Sequence, residues 1–438
     1  MKSFRLFTLF FLFTSPIWAQ DTLDIKANAQ KIIAQFKARQ FEQINPMLDY
    51  EMSRILGANG LEDLWDGINM QFGEVQQVKE TTFKRIDSLF VSKTPVVFEN
   101  KTWLLKIVFN LQGKMSGLFL EPLKMPYEPP AYADESLFYE YKKTLADPKY
   151  PVEGLLSIPR KGKDFPVLII LAGSGPSDKD LSIGSKRIYK DIAWGLASQN
   201  IAVFRFDKRT YTHKSTLASN PNLNIDDEYT QDLKLAIAML QQQPNINPKQ
   251  IYVMGHSLGG HLLPYLAGKV NGVKGYIGLF ANYSGLPDLM VYQADFLSKD
   301  LPENKKLPYQ QLKQKALYAR DRFGPNSPND SLPDGLTTKY LLSLNQAAPK
   351  NHLKSLRNKP FMFIQGEKDY QVPTSEMDKW QAALQFVKQS QTSFVLLKNI
   401  NHLGTDEPGE MGPGNYEKPG NVSPLLIKEI EAFIKLKP

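Results

Sequence analysis

The sequence predicts a two-part α/β protein: a large eight-stranded, mostly parallel sheet with an inserted helical cap, preceded by a small α+β domain. Three observations carry this prediction. Residues 25–72 read as helices and 74–120 as strands, in separate blocks. A proline-rich stretch, "EPLKMPYEPPAYADES", follows them. Beyond it, apolar runs and amphipathic segments alternate to the end of the chain.

In the first block, Ile32, Ile33 and Phe36 share one helix face, and Leu61, Leu64, Trp65 and Ile68 share another. Val-, Phe- and Thr-rich runs such as "TWLLKIVFNL" then predict antiparallel strands. The consecutive prolines favour an extended linker poor in hydrogen bonds. After it, the strand candidates are 137–145, 152–159, 165–173, 201–207, 250–255, 275–281, 360–366 and 392–399. Several are almost wholly apolar, as strands buried on both faces must be. Helical stripes run between them: Ile188, Ile192 and Leu196; Leu233, Ile237 and Leu240; Met377, Trp380 and Leu384; and finally Leu426, Ile430 and Phe433. Between Ala281 and Pro360 nearly eighty residues interrupt the rhythm, and a segment of that length reads as a cap, about 283–358. The expected domains are therefore 20–125 and 126–438.

The first nineteen residues are set apart. Lys2 and Arg5 precede an apolar run from Leu6 to Phe13, with the small residue Ala19 behind it. That order is expected of an export signal cut after Ala19, since a spanning helix needs about 20 apolar residues. Its removal leaves 51 basic against 45 acidic residues, spread without a dense basic block. Nucleic-acid binding is not suggested. The chain has no cysteine, which excludes disulfides, thiolate metal sites and a cysteine nucleophile.

"IYVMGHSLGGHLLP" (251–264) holds a G-x-S-x-G pentapeptide, which a chain this long would show by chance about one time in seven. Context gives it meaning. A buried strand precedes Ser257 and a helix can follow, so the serine would sit on a strained turn above the carboxyl end of the sheet. Pro264 should kink that helix. A serine needs a base. Of the five histidines, His256 and His261 flank the turn, expected to point away or to line a pocket. His213 and His352 come too early, so only His402, after the last strand, can close the order serine, acid, histidine. The acid should follow the seventh strand, where "GEKDYQVP" offers Asp369, with Glu367 as the fallback. Donors for a developing oxyanion would be the backbone N–H of Leu258 and, from "LAGSGPSDKD", that of Ser174. The glycine-rich loop lacks the phosphate-binding spacings, so no cofactor and no metal are expected.

Together "LAGSGPSDKD", "KDIAWGLASQNIAVFRFDKRTYTHK", "GHSLGG", "GEKDYQVP" and "NINHL" resemble bacterial α/β-hydrolases of the dienelactone-hydrolase and acyl-esterase kind, over residues 127–438. Residues 25–120 are similar to a bacterial domain of unknown function that precedes such hydrolases. The resemblance implies Ser257 as nucleophile, Asp369 as acid, His402 as base, and Ser174 and Leu258 as the oxyanion hole. It implies a small-molecule ester or acyl substrate, with thioesters and peptides using the same machinery and an inactive binding protein as the rival. Ala172 stands where many such enzymes carry histidine, so support of the oxyanion loop should differ. "FDKRT" is expected to be structural, through a buried Asp207–Arg209 ion pair or strand-end hydrogen bonds. Substrate choice belongs to the cap. For the first domain, lid, substrate guide and dimerisation surface all stay open.

Overall fold

A computed structural model describes residues 18–436 apart from 58, 100–101, 124–125, 218–219 and 388–390. Most of the expected export signal, residues 1–17, lies outside the described residues. The chain divides into two compact units, residues 1–125 and 126–438.

In the first unit, helices α1 (Trp18–Lys37), α2 (Tyr50–Leu56) and α3 (Gly60–Phe72) come before five antiparallel strands. These are β1 (Val75–Val78), β2 (Thr82–Ile86), β3 (Leu89–Phe98), β4 (Thr102–Phe109) and β5 (Met115–Pro122), ordered β1-β3-β4-β5 with β2 beside β3. Ile32, Ile33 and Phe36 of α1 are fully buried, and Phe36 stacks on Trp65 of α3 at 4.8 Å. Strict alternation along β3 sends Phe90, Val96 and Phe98 into the same core.

The second unit is built on an eight-stranded sheet: β6 (Phe138–Leu145), β7 (Val152–Pro159), β8 (Phe165–Leu171), β9 (Ala202–Phe206), β10 (Ile246–His256), β11 (Val273–Leu279), β12 (Pro360–Gly366) and β13 (Gln391–Leu397). The order is β13-β12-β11-β10-β8-β9-β7-β6. The six strands from β13 to β9 run parallel, while β7 is antiparallel to both its neighbours. The continuous apolar runs have a direct cause. In β8, Val167, Ile169 and Leu171 enter one core while Leu168 and Ile170 enter the core on the opposite face. Helices α4 (Ile188–Ala197) and α10 (Pro424–Lys435) contribute to the second core, and α5 (Gln231–Gln241) to the first.

Between β11 and β12 lie three further helices, α6 (Leu286–Ser298), α7 (Leu307–Asp321) and α8 (Thr338–Gln346), so the segment read as a cap is helical. Helix α9 (Ser375–Leu384) follows β12. The proline-rich stretch has little regular structure from residue 126 to 134, yet it is anchored. The Tyr127 hydroxyl donates to Asp191 at 2.7 Å, and that of Tyr132 donates to the Val422 carbonyl at 2.7 Å.

Candidate active site

The loops after β8, β10, β12 and β13 all leave the carboxyl end of the sheet, where parallel sheets place ligand sites. Ser257 follows β10 directly, at φ +52° and ψ −120°, a left-handed conformation that costs a non-glycine residue energy. The turn fits only because its neighbours lack side chains. A Cβ on Gly255 would overlap the Gly259 carbonyl, and one on Gly259 would lie 2.6 Å from Ala172 O. The Ser257 N–H donates to Leu279 O at 2.8 Å, and its carbonyl accepts from Gly260 and His261. Pro264 does break the helix that follows, into Leu258–His261 and Leu263–Ala267.

The loops after β12 and β13 meet each other. A Cβ on Gly366 would overlap the Ile400 carbonyl, which itself accepts the Lys368 N–H at 2.9 Å, while Glu367 N donates to Leu397 O. This contact brings His402 Nδ1 to 2.7 Å from Asp369 Oδ2, with both side chains buried. The carboxylate is otherwise saturated: Oδ1 accepts the N–H groups of Gln371 and Val372, both at 2.9 Å, and Gln365 Nε2 reaches Oδ2 at 3.2 Å. With its proton on Nδ1 facing Asp369, the neutral His402 ring keeps a lone pair on Nε2. Glu367, by contrast, is exposed and, among the described residues, accepts the Asn399 N–H at 3.2 Å. The Ser257 hydroxyl makes no hydrogen bond among the described residues.

His256 and His261 are both buried. His256 Nε2 donates to the His402 carbonyl at 3.0 Å, and its Nδ1 accepts from the Tyr189 hydroxyl at 3.0 Å. Burial, then the nearby His402, push His256 down to about 3, so it is neutral. Burial likewise lowers His261 to about 4 against its bond to Asn282 O. His213 and His352 donate to the backbone carbonyls of Pro151 and Gln346.

The loop after β8 lies against the turn: a Cβ on Gly173 would sit 3.1 Å from Ser257 Cβ. The backbone N–H groups of Ser174 and Leu258 donate to no other group among the described residues. Of the two arrangements expected of "FDKRT", the structure has the strand-end hydrogen bonds, with Asp207 N donating to Glu153 O and Lys208 N to Ser177 O, both at 2.9 Å. There is no Asp207–Arg209 pair. Asp207 pairs with Lys179 at 3.0 Å and accepts its backbone N–H at 2.7 Å. Arg209 turns to Asp232 and Asp147 instead. The reason is local: β9 ends at Phe206 and a helical turn begins at Arg209, so the two side chains share no strand face. Arg205 reaches Asp180 at 2.8 Å and Glu140 at 2.6 Å. Lys208, buried, donates to the carbonyls of Gly173 at 2.8 Å and Gly175 at 3.2 Å. Neither Lys208 nor Gln365 was picked out from the sequence. A glutamine inside the apolar run "FMFIQG" was the available signal for the second.

Among the described residues no group of three or more His, Asp or Glu side chains could hold a metal, and no helix is long and apolar enough to cross a membrane. Comparison with known proteins finds the following. Residues 29–118 match a family described as a protein of unknown function, DUF3887. Esterase EstD of Thermotoga maritima is 27% identical over 408 residues, covering 92% of this chain and 93% of that protein. Among solved structures, an esterase of Pyrobaculum calidifontis has a TM-score of 0.43 at 17% identity, covering 69% of this chain and 87% of that one. Est1E of Butyrivibrio proteoclasticus has a TM-score of 0.42 at 15% identity, covering 67% and 97%. The family described as "Serine aminopeptidase, S33" matches residues 183–408, just over half of the chain. The chain therefore belongs to the serine aminopeptidase S33 family and is a hydrolase of the α/β-hydrolase fold.

Proposed function

We propose that the protein is an exported serine hydrolase that cleaves carboxylic esters through an acyl-enzyme on Ser257. One observation carries the reading: a serine on a strained turn at the end of a central strand, with the 2.7 Å Asp369–His402 couple on strand ends of the same side. In the first half-reaction His402 Nε2 takes the Ser257 proton as Oγ attacks the carbonyl carbon. Asp369 fixes the ring's tautomer and stabilises the imidazolium. The N–H groups of Leu258 and Ser174 receive the negative oxygen. The carbonyl re-forms as the C–O bond to the alcohol breaks, with His402 returning the proton to the leaving oxygen. Water then attacks the acyl-enzyme with His402 again as base, and the acid leaves as the C–Oγ bond breaks and His402 returns the proton to Ser257. The structure has no Ser257 hydroxyl–His402 hydrogen bond among the described residues, and such contacts commonly tighten only in the complex.

Ester specificity is supported by the likeness to Esterase EstD over nearly the whole chain. The description of the family as serine aminopeptidases favours a second reading, cleavage of an N-terminal residue from a peptide. Assays with p-nitrophenyl acetate and butyrate beside aminoacyl p-nitroanilides separate the two. Under the ester reading only the former turn over, and Ser257→Ala lowers kcat by about 10⁴-fold or more. Turnover that survives in that variant would overturn the assignment. Export is supported by the charge and hydropathy order of residues 1–19, and predicts a product beginning at Gln20 outside the cytoplasm. Recovery of the cytoplasmic form with Met1 or Lys2 intact would refute it.

A further inference from the structure

The loop after β8 is fastened from beneath by a buried polar cluster that none of the proposed chemical steps uses. Lys208 Nζ donates to Gly173 O at 2.8 Å, to the Tyr229 hydroxyl at 2.8 Å and to Gly175 O at 3.2 Å, with Glu228 Oε1 at 3.1 Å. The Tyr229 hydroxyl in turn donates to the same Gly173 oxygen at 2.7 Å. Glu228 and Tyr229 lie in a π-helical turn, Asp226–Thr230, ahead of α5; such turns are rare and cluster at functional sites. Glu228 also accepts from Thr210 at 2.9 Å and, across from α8 of the inserted segment, from the Tyr340 hydroxyl at 2.6 Å. A cavity of about 10 Å³ lies among Leu171, Lys208, Glu228 and Tyr229, so the cluster is dry or holds a single water. Burial lowers the Lys208 ammonium, and the Glu228 carboxylate opposes that.

We propose that Lys208 and Tyr229 are positioning residues that set the Gly173–Ser174 peptide so that the Ser174 N–H can receive the oxyanion. The peptide is trans, and in a planar trans peptide C=O and N–H point in opposite directions. Two donors on the Gly173 carbonyl, one of them an ammonium, hold it toward the buried cluster. The Ser174 N–H is thereby directed the other way, to the accessible side where Ser174 is exposed. An ammonium on the carbonyl also draws electron density through the peptide and strengthens that N–H as a donor. Without these two partners the Gly-Ser-Gly backbone has little to stop the peptide from turning over. The chain from Gly173 through Lys208 and Glu228 to Tyr340 ties the orientation to the inserted segment.

This rests on Ser174 N–H being an oxyanion donor, and the test keeps the two claims apart. In the full-length protein, Lys208→Met should lower kcat for p-nitrophenyl butyrate about 100-fold, the cost of losing one oxyanion donor, with KM within about twofold. Affinity for an aryl trifluoromethyl ketone, which forms the oxyanion on Ser257, should fall in parallel, while inhibition by butyrate should not move. Tyr229→Phe removes a single hydroxyl and should lower kcat about tenfold at near-normal melting temperature. Lys208→Met alone leaves Glu228 buried without its cation; adding Glu228→Gln should restore the melting temperature but not kcat. If the double variant recovers both, or if Tyr229→Phe and Lys208→Met keep kcat within about threefold while Ser257→Ala is inactive, the positioning role is wrong and the ester reading stands. Should Lys208→Met fail to fold, Tyr229→Phe and the double variant decide. Turnover in Ser257→Ala would instead sink the underlying reading.

Discussion

The two halves of the candidate site are held in different ways. Asp369 and His402 are placed by main chain: Gly366 against Ile400, Lys368 N on Ile400 O, and two backbone N–H groups on the carboxylate. The loop after β8 is placed by side chains from β9 and the residues just after it: Arg205 on Asp180, Asp207 on Lys179, and Lys208 on two carbonyls. The difference has a physical basis. The couple must fix two side-chain heads within hydrogen-bond reach, and two loops that share backbone contacts do that with little freedom left. The Gly173–Gly175 stretch is gripped by its carbonyls, and only further along, at Lys179 and Asp180, does the loop offer side chains to grip. Each half should therefore fail to a different insult: the first to added bulk, the second to lost charge.

Added bulk makes the larger test. Gly366→Ala places a methyl on the Ile400 carbonyl, and neither partner is a side chain that could swing aside. The two loops must separate, and His402 moves relative to Asp369 and Ser257. A misplacement of about 1 Å is enough for a loss in kcat of about 100-fold. Steady-state kinetics with p-nitrophenyl butyrate check this. Full activity with an unchanged melting temperature would show that the loop contact is slack, and would erase the contrast between the two halves.

The same contrast explains what could be read in advance. Ser257 follows an apolar strand run directly, Asp369 and His402 lie on the loops that leave two more, and they occur in the order that the turn motif requires, so a linear reading reaches them. The central strands were legible because both their faces are covered, which makes those runs almost wholly apolar, as in β8, whereas the edge strand β6 buries only Phe138 and Leu145. Lys208 was not legible. A lysine is ordinarily solvated, and its partners stand 35 and 33 residues away as bare carbonyls with no side chain to announce them. The Asp207–Arg209 pair, one of the two arrangements expected of "FDKRT", needs both side chains to face each other just past the end of the strand. The strand stops at Phe206, and the geometry of the exit sends Asp207 to Lys179 and Arg209 to Asp232. The inserted segment reads as helical, but the surfaces that α6, α7 and α8 assemble are encoded by no short motif.

A smaller effect separates the halves by pH. The β8 loop is held by ion pairs, whereas the His402 loop also leans on a neutral group, His256, whose Nε2–H supports the His402 carbonyl. Tyr189, Phe280 and the His402 ring surround it, and none offers a negative charge to an imidazolium. In the folded chain His256 is held near 3, against 6.5 when exposed. Below 6.5 the unfolded chain binds a proton that the folded chain refuses, so stability falls as pH drops, and continues to fall toward 3. The slope is about 1.4 kcal/mol per pH unit for this one group. His261, lowered to about 4, adds a second contribution of the same sign. Other groups titrate in this range, so the informative quantity is a difference. Glutamine can donate to the His402 carbonyl and accept from Tyr189, yet carries no proton to gain. Urea unfolding of wild type and His256→Gln at pH 7.5, 6.5, 5.5 and 4.5 should show the variant's stability declining less steeply below 6.5, by about 1.4 kcal/mol per unit. Parallel curves would mean that His256 accepts its proton without cost, and that the His402 loop is as tolerant of charge as the loop after β8.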